Sequence, residues 1–259
     1  MSALAGRRVL VTRPRDQAGA LTAALARRGA RPILLPTIEI RPVDDFAALD
    51  RALDGLEAYD WIAFTSMNGV AVLFDRLAGR GARLPSAVRV AAVGSGTAHA
   101  LAARGVHVDF VPTEFTGAHL GRELEDVAGR RVLVPRAVRG REDLVVELRT
   151  RGALVQDVPV YQTLPAAPDP DGLRELWRGV DVATFTSAST VENYFLLLGA
   201  RAARLLDDAL IACIGPIAAD AARSLGLSVH VQPDEHTIPG LVAALEQALQ
   251  TATIQGGDA

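Results

Sequence analysis

Runs of four or five apolar residues alternate along this chain with longer stretches in which apolar residues recur on one helical face. RRVLV (7–11) reads as a strand, DQAGALTAALARRG (16–29) as a helix, and PILLP (32–36) as a second strand. Gly29 supplies the helix stop, a usual role for glycine. The cycle continues through WIAF, RVAAV, HVDFV, RVLV, LVQDVPV, DVATF, LIACI and SVHV, with helical patterns between them. Strand–helix alternation predicts parallel sheets with helices on both faces. Strands buried on both faces show as unbroken apolar runs, as these do.

The pattern is written twice. GRRVLVTRP starts at Gly6 and GRRVLVPRA at Gly129; Gly29 and Pro36 have counterparts in Gly152 and Pro159, at the same offset of 123. Further on the offset is 121: FTSMNGV answers FTSASTV, VAAVGSGTAHALAARGVHV answers IACIGPIAADAARSLGLSV, and PTEFTGAHLGREL answers PDEHTIPGLVAAL. Solenoid units repeat every 20–50 residues or so, so this is duplication of a domain-sized block. Two extended, proline-rich segments, LPTIEIRPVDD and VPVYQTLPAAPDPDG, break the rhythm at the same place in each copy. Proline disfavours helix at and before itself, so both read as linkers. If both connect domains, the chain leaves the first domain, completes the second and returns. The expected fold is α/β: two doubly wound parallel-sheet domains with crossed halves, joined by a two-stranded linker that works as a hinge. The expected bounds are 1–37 with 167–259, and 41–161, with linkers at 38–40 and 162–166.

The 259 residues suit two domains of common size, and 49% apolar residues suffice for two cores. A net charge of −3 argues against a general nucleic-acid binder but leaves room for a small anion held by local donors. The single cysteine, Cys213, lies in the apolar run LIACIG and is expected to be buried and inert; it permits no internal disulfide framework. No run approaches the ~18 apolar residues of a membrane span, and MSALAGRRVL lacks a signal-peptide pattern. The expectation is a cytoplasmic protein without membrane or nucleic-acid partners. Histidines 99, 107, 119, 230 and 236 show no metal-ligand spacing, so no metal is expected. There is no Walker sequence and no G-x-S-x-G elbow.

Candidate chemistry sits where strands end, the usual ligand edge of open α/β sheets. Thr65 and Ser66 follow WIAF, with Met67 next; Thr186 and Ser187 follow DVATF, with Ala188 and Ser189 next. Two readings stand side by side: helix capping by Ser and Thr, and carboxylate binding by the free N–H groups of a helix start. Gly94 and Gly96 allow close backbone approach, with Thr97 beside them, and Gly215 and Pro216 are their counterparts. His99 stands where a dinucleotide fingerprint needs its third glycine, so a small-anion site is the reading there. Arg13 and Arg136 each follow a strand, and arginine grips carboxylates bidentately. Tyr161, one of three tyrosines, falls in the second linker.

In their order and spacing, VLVTRP, the first FTS, VGxxTA, VYQT, the second FTS, IGP and a final T-x-x-x-L resemble the uroporphyrinogen-III synthase family. The resemblance runs from about Arg7 to Leu249. It implies cyclisation of hydroxymethylbilane to uroporphyrinogen III, with inversion of the last ring, loss of water and no cofactor. It implies two α/β domains on a two-stranded linker, with the octacarboxylate substrate in the cleft. It assigns Tyr161, in VYQT, to the departing hydroxyl, and implies a monomer in transient contact with hydroxymethylbilane synthase. The family often carries two threonines after IGP; here stand Ile217 and Ala218, which can offer only backbone N–H groups. A non-catalytic tetrapyrrole or small-anion binder of the same fold is the alternative. A regulator module would need a DNA-binding domain, for which TATIQGGDA is too short, and a periplasmic-type binder would need a signal peptide.

Overall fold

The computed structural model describes residues 2–255. The strands are β1 (Arg8–Val11), β2 (Arg31–Leu34), β3 (Ile38–Pro42), β4 (Trp61–Phe64), β5 (Arg89–Ala92), β6 (Arg131–Ala137), β7 (Leu154–Pro165), β8 (Val182–Phe185) and β9 (Leu210–Cys213). The α-helices are α1 (Gly19–Ala26), α2 (Ala47–Asp54), α3 (Met67–Gly79), α4 (Ser95–Ala102), α5 (Gly117–Glu123), α6 (Asp143–Thr150), α7 (Pro170–Leu176), α8 (Ala188–Leu198), α9 (Pro216–Ser224) and α10 (Ile238–Gln255). The chain divides into two compact units. Unit 1 takes the residues up to Glu39 and those from Leu164 onward; unit 2 is Ile40–Thr163.

Unit 1 carries a sheet in the order β2-β1-β8-β9, with every pair parallel. The other sheet runs β3-β7-β6-β4-β5, and β7-β6-β4-β5 is parallel throughout. The two orders are one order: under the sequence offsets β1 corresponds to β6, β2 to β7, β8 to β4 and β9 to β5. Each unit therefore joins the front of one copy to the back of the other. β3 is the departure from an all-parallel sheet. Val43 N–H donates to Val160 O, and Ala166 N–H donates to Thr37 O. Numbers rise on one strand as they fall on the other, so β3 runs antiparallel to the second half of β7.

Alternate residues of each strand feed opposite faces. In unit 1, Leu10, Ala183 and Phe185 join one core cluster, while Val9, Val11 and Val182 join the other. In unit 2, Ile62 and Phe64 face one cluster and Trp61 and Ala63 the other. Both faces are dry, which is why the strands read as continuous apolar runs. Truncating a fully buried Leu10 or Ile62 to alanine would cost about 2–5 kcal/mol.

Two sequence expectations need adjusting. HVDFV and SVHV are not full strands; each makes a single parallel bridge, Phe110 to Ala91 and Val231 to Ala212. Asp109 and His230 divert hydrogen bonding from a ladder: their side chains accept from Val90 N–H and Ile211 N–H. The second linker is itself strand: β7 runs unbroken for 12 residues, through Tyr161 and across the boundary between the units at Thr163. The last helix continues to Gln255, so TATIQ is helical rather than a tail; the remaining four residues lie outside the described region. Cys213 is buried as expected, and burial pushes its thiol up to about 12.

Candidate functional site

In unit 2, β4 ends in the buried Phe64 and the chain turns at Thr65 and Ser66 into α3. Ser66 is the helix cap: its backbone is extended, and Gly69 N–H donates to its Oγ over 3.1 Å. Gly69 has to be small, since a Cβ there would lie 2.9 Å from Pro135 O at the end of β6. The same Ser66 Oγ lies 2.8 Å from the phenolic oxygen of Tyr161. Tyr161 projects from β7 with 6% of its surface exposed. It pairs with Ala137 just past a register shift, and its carbonyl accepts from Val138 N–H over 2.8 Å. When Ser66 O–H donates to the phenol oxygen, the phenol proton remains free to be given elsewhere.

The copy in unit 1 is wired differently. Ser187 caps α8, and Thr190 closes a capping box on it, with Thr190 N–H to Ser187 Oγ and Ser187 N–H to Thr190 Oγ1 both at 3.2 Å. Thr190 stands where unit 2 has Gly69. The position equivalent to Tyr161 is Ile38, also buried. Duplication has thus left one phenol, in unit 2, beside a serine released from the box. Thr186 follows β8, and Ala188 and Ser189 open α8, where Ser189 O accepts from Asn193 Nδ2.

The starts of α4 and α9, like those of α1, α2 and α6, have no side-chain cap. Gly94 precedes α4 and Gly215 precedes α9, both with extended backbones. The sequence expectation placed a small anion at the first-turn N–H groups of these two helices. Pro216 occupies the first turn of α9 as expected. Ile217 is 40% exposed, whereas Ala218 is buried, so Ala218 can contribute backbone alone. Thr97 is buried at 6% exposure. Each glycine is covered by a ring: a Cβ at Gly94 would meet Phe115 Cγ at 2.8 Å, and one at Gly215 would meet His236 Cγ at 3.2 Å. Phe115 and His236 are 121 apart in the repeat. That shared position was the signal by which the sequence reading, which missed both, could have found them. Gly96 lies under the Met67 methyl, with 3.9 Å from its Cβ position to Met67 Cε.

The arginines are more occupied than their strand-end positions implied. Arg136 grips Asp157 with Nε and Nη2 at 2.6 and 2.8 Å, and its Nη1 donates to Ala137 O at 3.1 Å. The Asp157 hydrogen bond raises its already high pKa. A ligand carboxylate would have to compete with Asp157 for that fork. Arg13 is 8% exposed and donates from Nε to Gln17 O at 3.2 Å; burial lowers its pKa, with Asp16 opposing.

A surface cavity of about 490 Å³ opens in unit 2 between Tyr59, Arg131, Arg149 and Gln156. It lies where β6 and β7 begin, at the opposite end of the sheet from Ser66. The carboxyl end, with its serine–phenol pair and uncapped helix start, is the better candidate because the reactive groups converge there. No group of metal-ligating side chains occurs among the described residues, and none of their helices is long and apolar enough to cross a membrane.

A family model described as "Uroporphyrinogen-III synthase HemD" matches residues 19–243. The uroporphyrinogen-III synthase of Synechococcus elongatus is 34% identical over 96% of this chain and 98% of its own length. The porphyrin biosynthesis protein HemD of Ruminiclostridium josui is 32% identical over 93% of this chain, which spans 48% of that longer protein. A crystal structure of a mutant uroporphyrinogen III synthase from the extremely thermophilic bacterium Thermus thermophilus matches 95% of this chain and 100% of its own. The TM-score is 0.65 at 23% identity, a likeness of fold. The chain belongs to the uroporphyrinogen-III synthase family.

Proposed function

We propose that the chain performs the reaction for which its family is named: closure of hydroxymethylbilane to uroporphyrinogen III, with inversion of the last ring and loss of water. It is a hydro-lyase of porphyrin biosynthesis. The observation that carries the residue-level reading is the 2.8 Å contact between Tyr161 and Ser66 at the carboxyl end of unit 2. Tyr161 gives a proton or hydrogen bond to the departing hydroxyl, and Ser66 orients the phenol by donating to its oxygen. The pyrrole nitrogen supplies the electrons that expel the hydroxyl. The substituted carbon of the last ring then attacks the methylene left by the hydroxyl to give a spiro intermediate; its bond to its original methylene breaks, the ring turns and re-bonds to that methylene through its unsubstituted α-carbon, and the proton lost from that carbon replaces the one given to the departing water. Holding the attacking carbon in place is worth several kcal/mol in well-oriented reactions, about 7–11 at best.

The substrate's acetate and propionate arms suit N–H groups at helix starts. In unit 2 these follow Thr65, Ser66, Met67, Gly94, Gly96 and Thr97. In unit 1 they follow Thr186, Ser187, Ala188, Ser189, Gly215, Ile217 and Ala218. Arg13 and Arg136 add positive potential and, in the case of Arg136, hold the end of β6. The enzyme works as a cytoplasmic monomer without metal or nucleotide, in transient contact with hydroxymethylbilane synthase.

Incubating the pure protein with hydroxymethylbilane and separating the isomers tests this reading. Mostly type III product, unaffected by a chelator, supports it. Type I product alone, at the uncatalysed rate, would overturn it in favour of a non-catalytic tetrapyrrole binder. Sedimentation at assay concentration, with and without hydroxymethylbilane synthase, tests the monomer and the contact.

A further inference from the structure

Four of the exposed large apolar side chains, Met67, Val111, Phe115 and Val138, lie along the carboxyl end of the unit 2 sheet. Scattered exposed apolar residues are ordinary; these four share the end of the sheet where the candidate site lies. Phe115 and Met67 stand out because both lie over the first turn of α4. The Phe115 ring covers Gly94, where it leaves no room for a Cβ, and the Met67 methyl reaches Gly96. Phe115 nevertheless keeps 42% of its surface exposed and Met67 38%. The ring position is a fixed socket of the repeat, since His236 occupies it in unit 1 against Gly215. In unit 2 the socket is filled by a group that offers only an apolar face.

We propose that Phe115 and Met67 form an apolar seat for the face of one substrate pyrrole ring, beside donors that take the same ring's acid arms. The inference rests on the uroporphyrinogen-III synthase reading and names contacts within it. The chemistry is complementary on both counts. A pyrrole with acetate and propionate arms is flat and apolar in its body and anionic at its edge. The seat presents an aromatic ring and a thioether, both good partners for an aromatic face. Next to them lie the uncapped N–H groups that follow Gly94. The inverted ring must turn over without leaving the enzyme, and a flat seat restricts such a ring in a way that carboxylate contacts alone do not.

The test compares Phe115→Ala, Phe115→Leu, Phe115→Tyr and Met67→Ala with the parent protein. The readouts are KM and kcat for hydroxymethylbilane, and the Kd of uroporphyrin III, the stable oxidised product, by fluorescence titration. Burial of an aromatic face sets the expected scale, on the order of tenfold weaker binding for Phe115→Ala and about threefold for Met67→Ala. The expected kcat stays within about threefold of the parent, and Phe115→Tyr retains parental binding. Should Phe115→Ala fail to fold, Phe115→Leu, which keeps cover over Gly94 but lacks a flat ring, is expected to weaken binding to an intermediate degree. If the alanine variants, or Phe115→Leu in place of an unfolded Phe115→Ala, keep KM and Kd within twofold, the seat is refuted while the parent enzyme still makes type III product. Absence of type III product from the parent instead refutes the functional reading beneath it.

Discussion

The phenol of Tyr161 and the hydroxyl of Ser66 meet at 2.8 Å although 95 positions separate them in the chain. In the role proposed for it, Tyr161 assists the departing hydroxyl, so Tyr161→Phe should lower kcat while KM changes little. A single acid typically contributes ~10²–10⁴-fold, and the low end is expected because the pyrrole nitrogen drives departure by itself. Steady-state kinetics on protein verified as folded by circular dichroism checks this. Full kcat in the variant would move the proton-donor role away from Tyr161.

Ser66→Ala and Ser187→Ala make a matched pair, since each deletes a helix cap worth about 1 kcal/mol. Urea unfolding should show similar losses of stability. Activity should separate them: Ser66→Ala also strips Tyr161 of its partner and should lower kcat, whereas Ser187→Ala should act on KM. Equal kcat in the two variants would mean that Ser66 serves the helix alone.

Asp157 and Arg136 are both largely buried, with side chains 18% and 10% exposed. Asp157→Ala leaves a guanidinium buried without its main partner, a change that typically costs about 3–5 kcal/mol. Thermal unfolding should report the loss. A variant with unaltered stability and a raised KM would show that Arg136 serves the substrate and that its pairing with Asp157 is incidental.

Acid should destabilise the fold. Asp169 is held below its ordinary pKa chiefly by Gly172 N–H, Glu123 by Thr113 N–H, Glu246 by the Ser2 hydroxyl, Asp50 by Arg76 and Glu175 by Arg8. A carboxyl whose pKa is depressed on folding adds stability above its unfolded value and loses it as pH falls through the folded one. The melting temperature should therefore decline as pH drops below about 4. A melting temperature that stays level down to pH 2 would contradict these contacts.

Cys213 gives the opposite limit. Burial raises its thiol to about 12, so the folded chain keeps a proton that the unfolded chain releases near its ordinary value of 9.0. Its contribution to stability should fall as pH rises between those values. A thiol reagent at pH 8 should label the protein only after denaturant is added; rapid labelling of the native protein would refute the burial.

Sequence periodicity made most strands and their duplication legible because both faces of each sheet are dry, so β1, β4, β5, β8 and β9 carry short, almost wholly apolar runs. Ser66 and Ser187 were legible as caps, but not the difference between them, which depends on Gly69 against Thr190 three residues later. Arg136 read as an available cation because its partner, Asp157, lies 21 positions on, a separation set by strand pairing and invisible to local pattern. Phe115, an isolated aromatic in a loop, has no periodic signal; only its repeat counterpart His236 marks it. HVDFV and SVHV misled because an apolar alternation continues where side chains of Asp109 and His230 have already taken up the backbone donors of the neighbouring strand.

The crossed halves also set an order of events during synthesis. Strand β1 takes β8 as a neighbour, and Arg8 N–H waits for the carboxylate of Asp181, 173 positions later. Meanwhile Ile40–Thr163 is one continuous stretch. At translation rates of about 5–20 residues per second, the ribosome finishes all of unit 2 while β1 and β2 stand for about 8–30 seconds as an apolar half-sheet without its third strand. The chain thus leaves that half-sheet open until unit 2 has been made, and a chaperone that binds nascent β1–β2 would find its target for that whole interval.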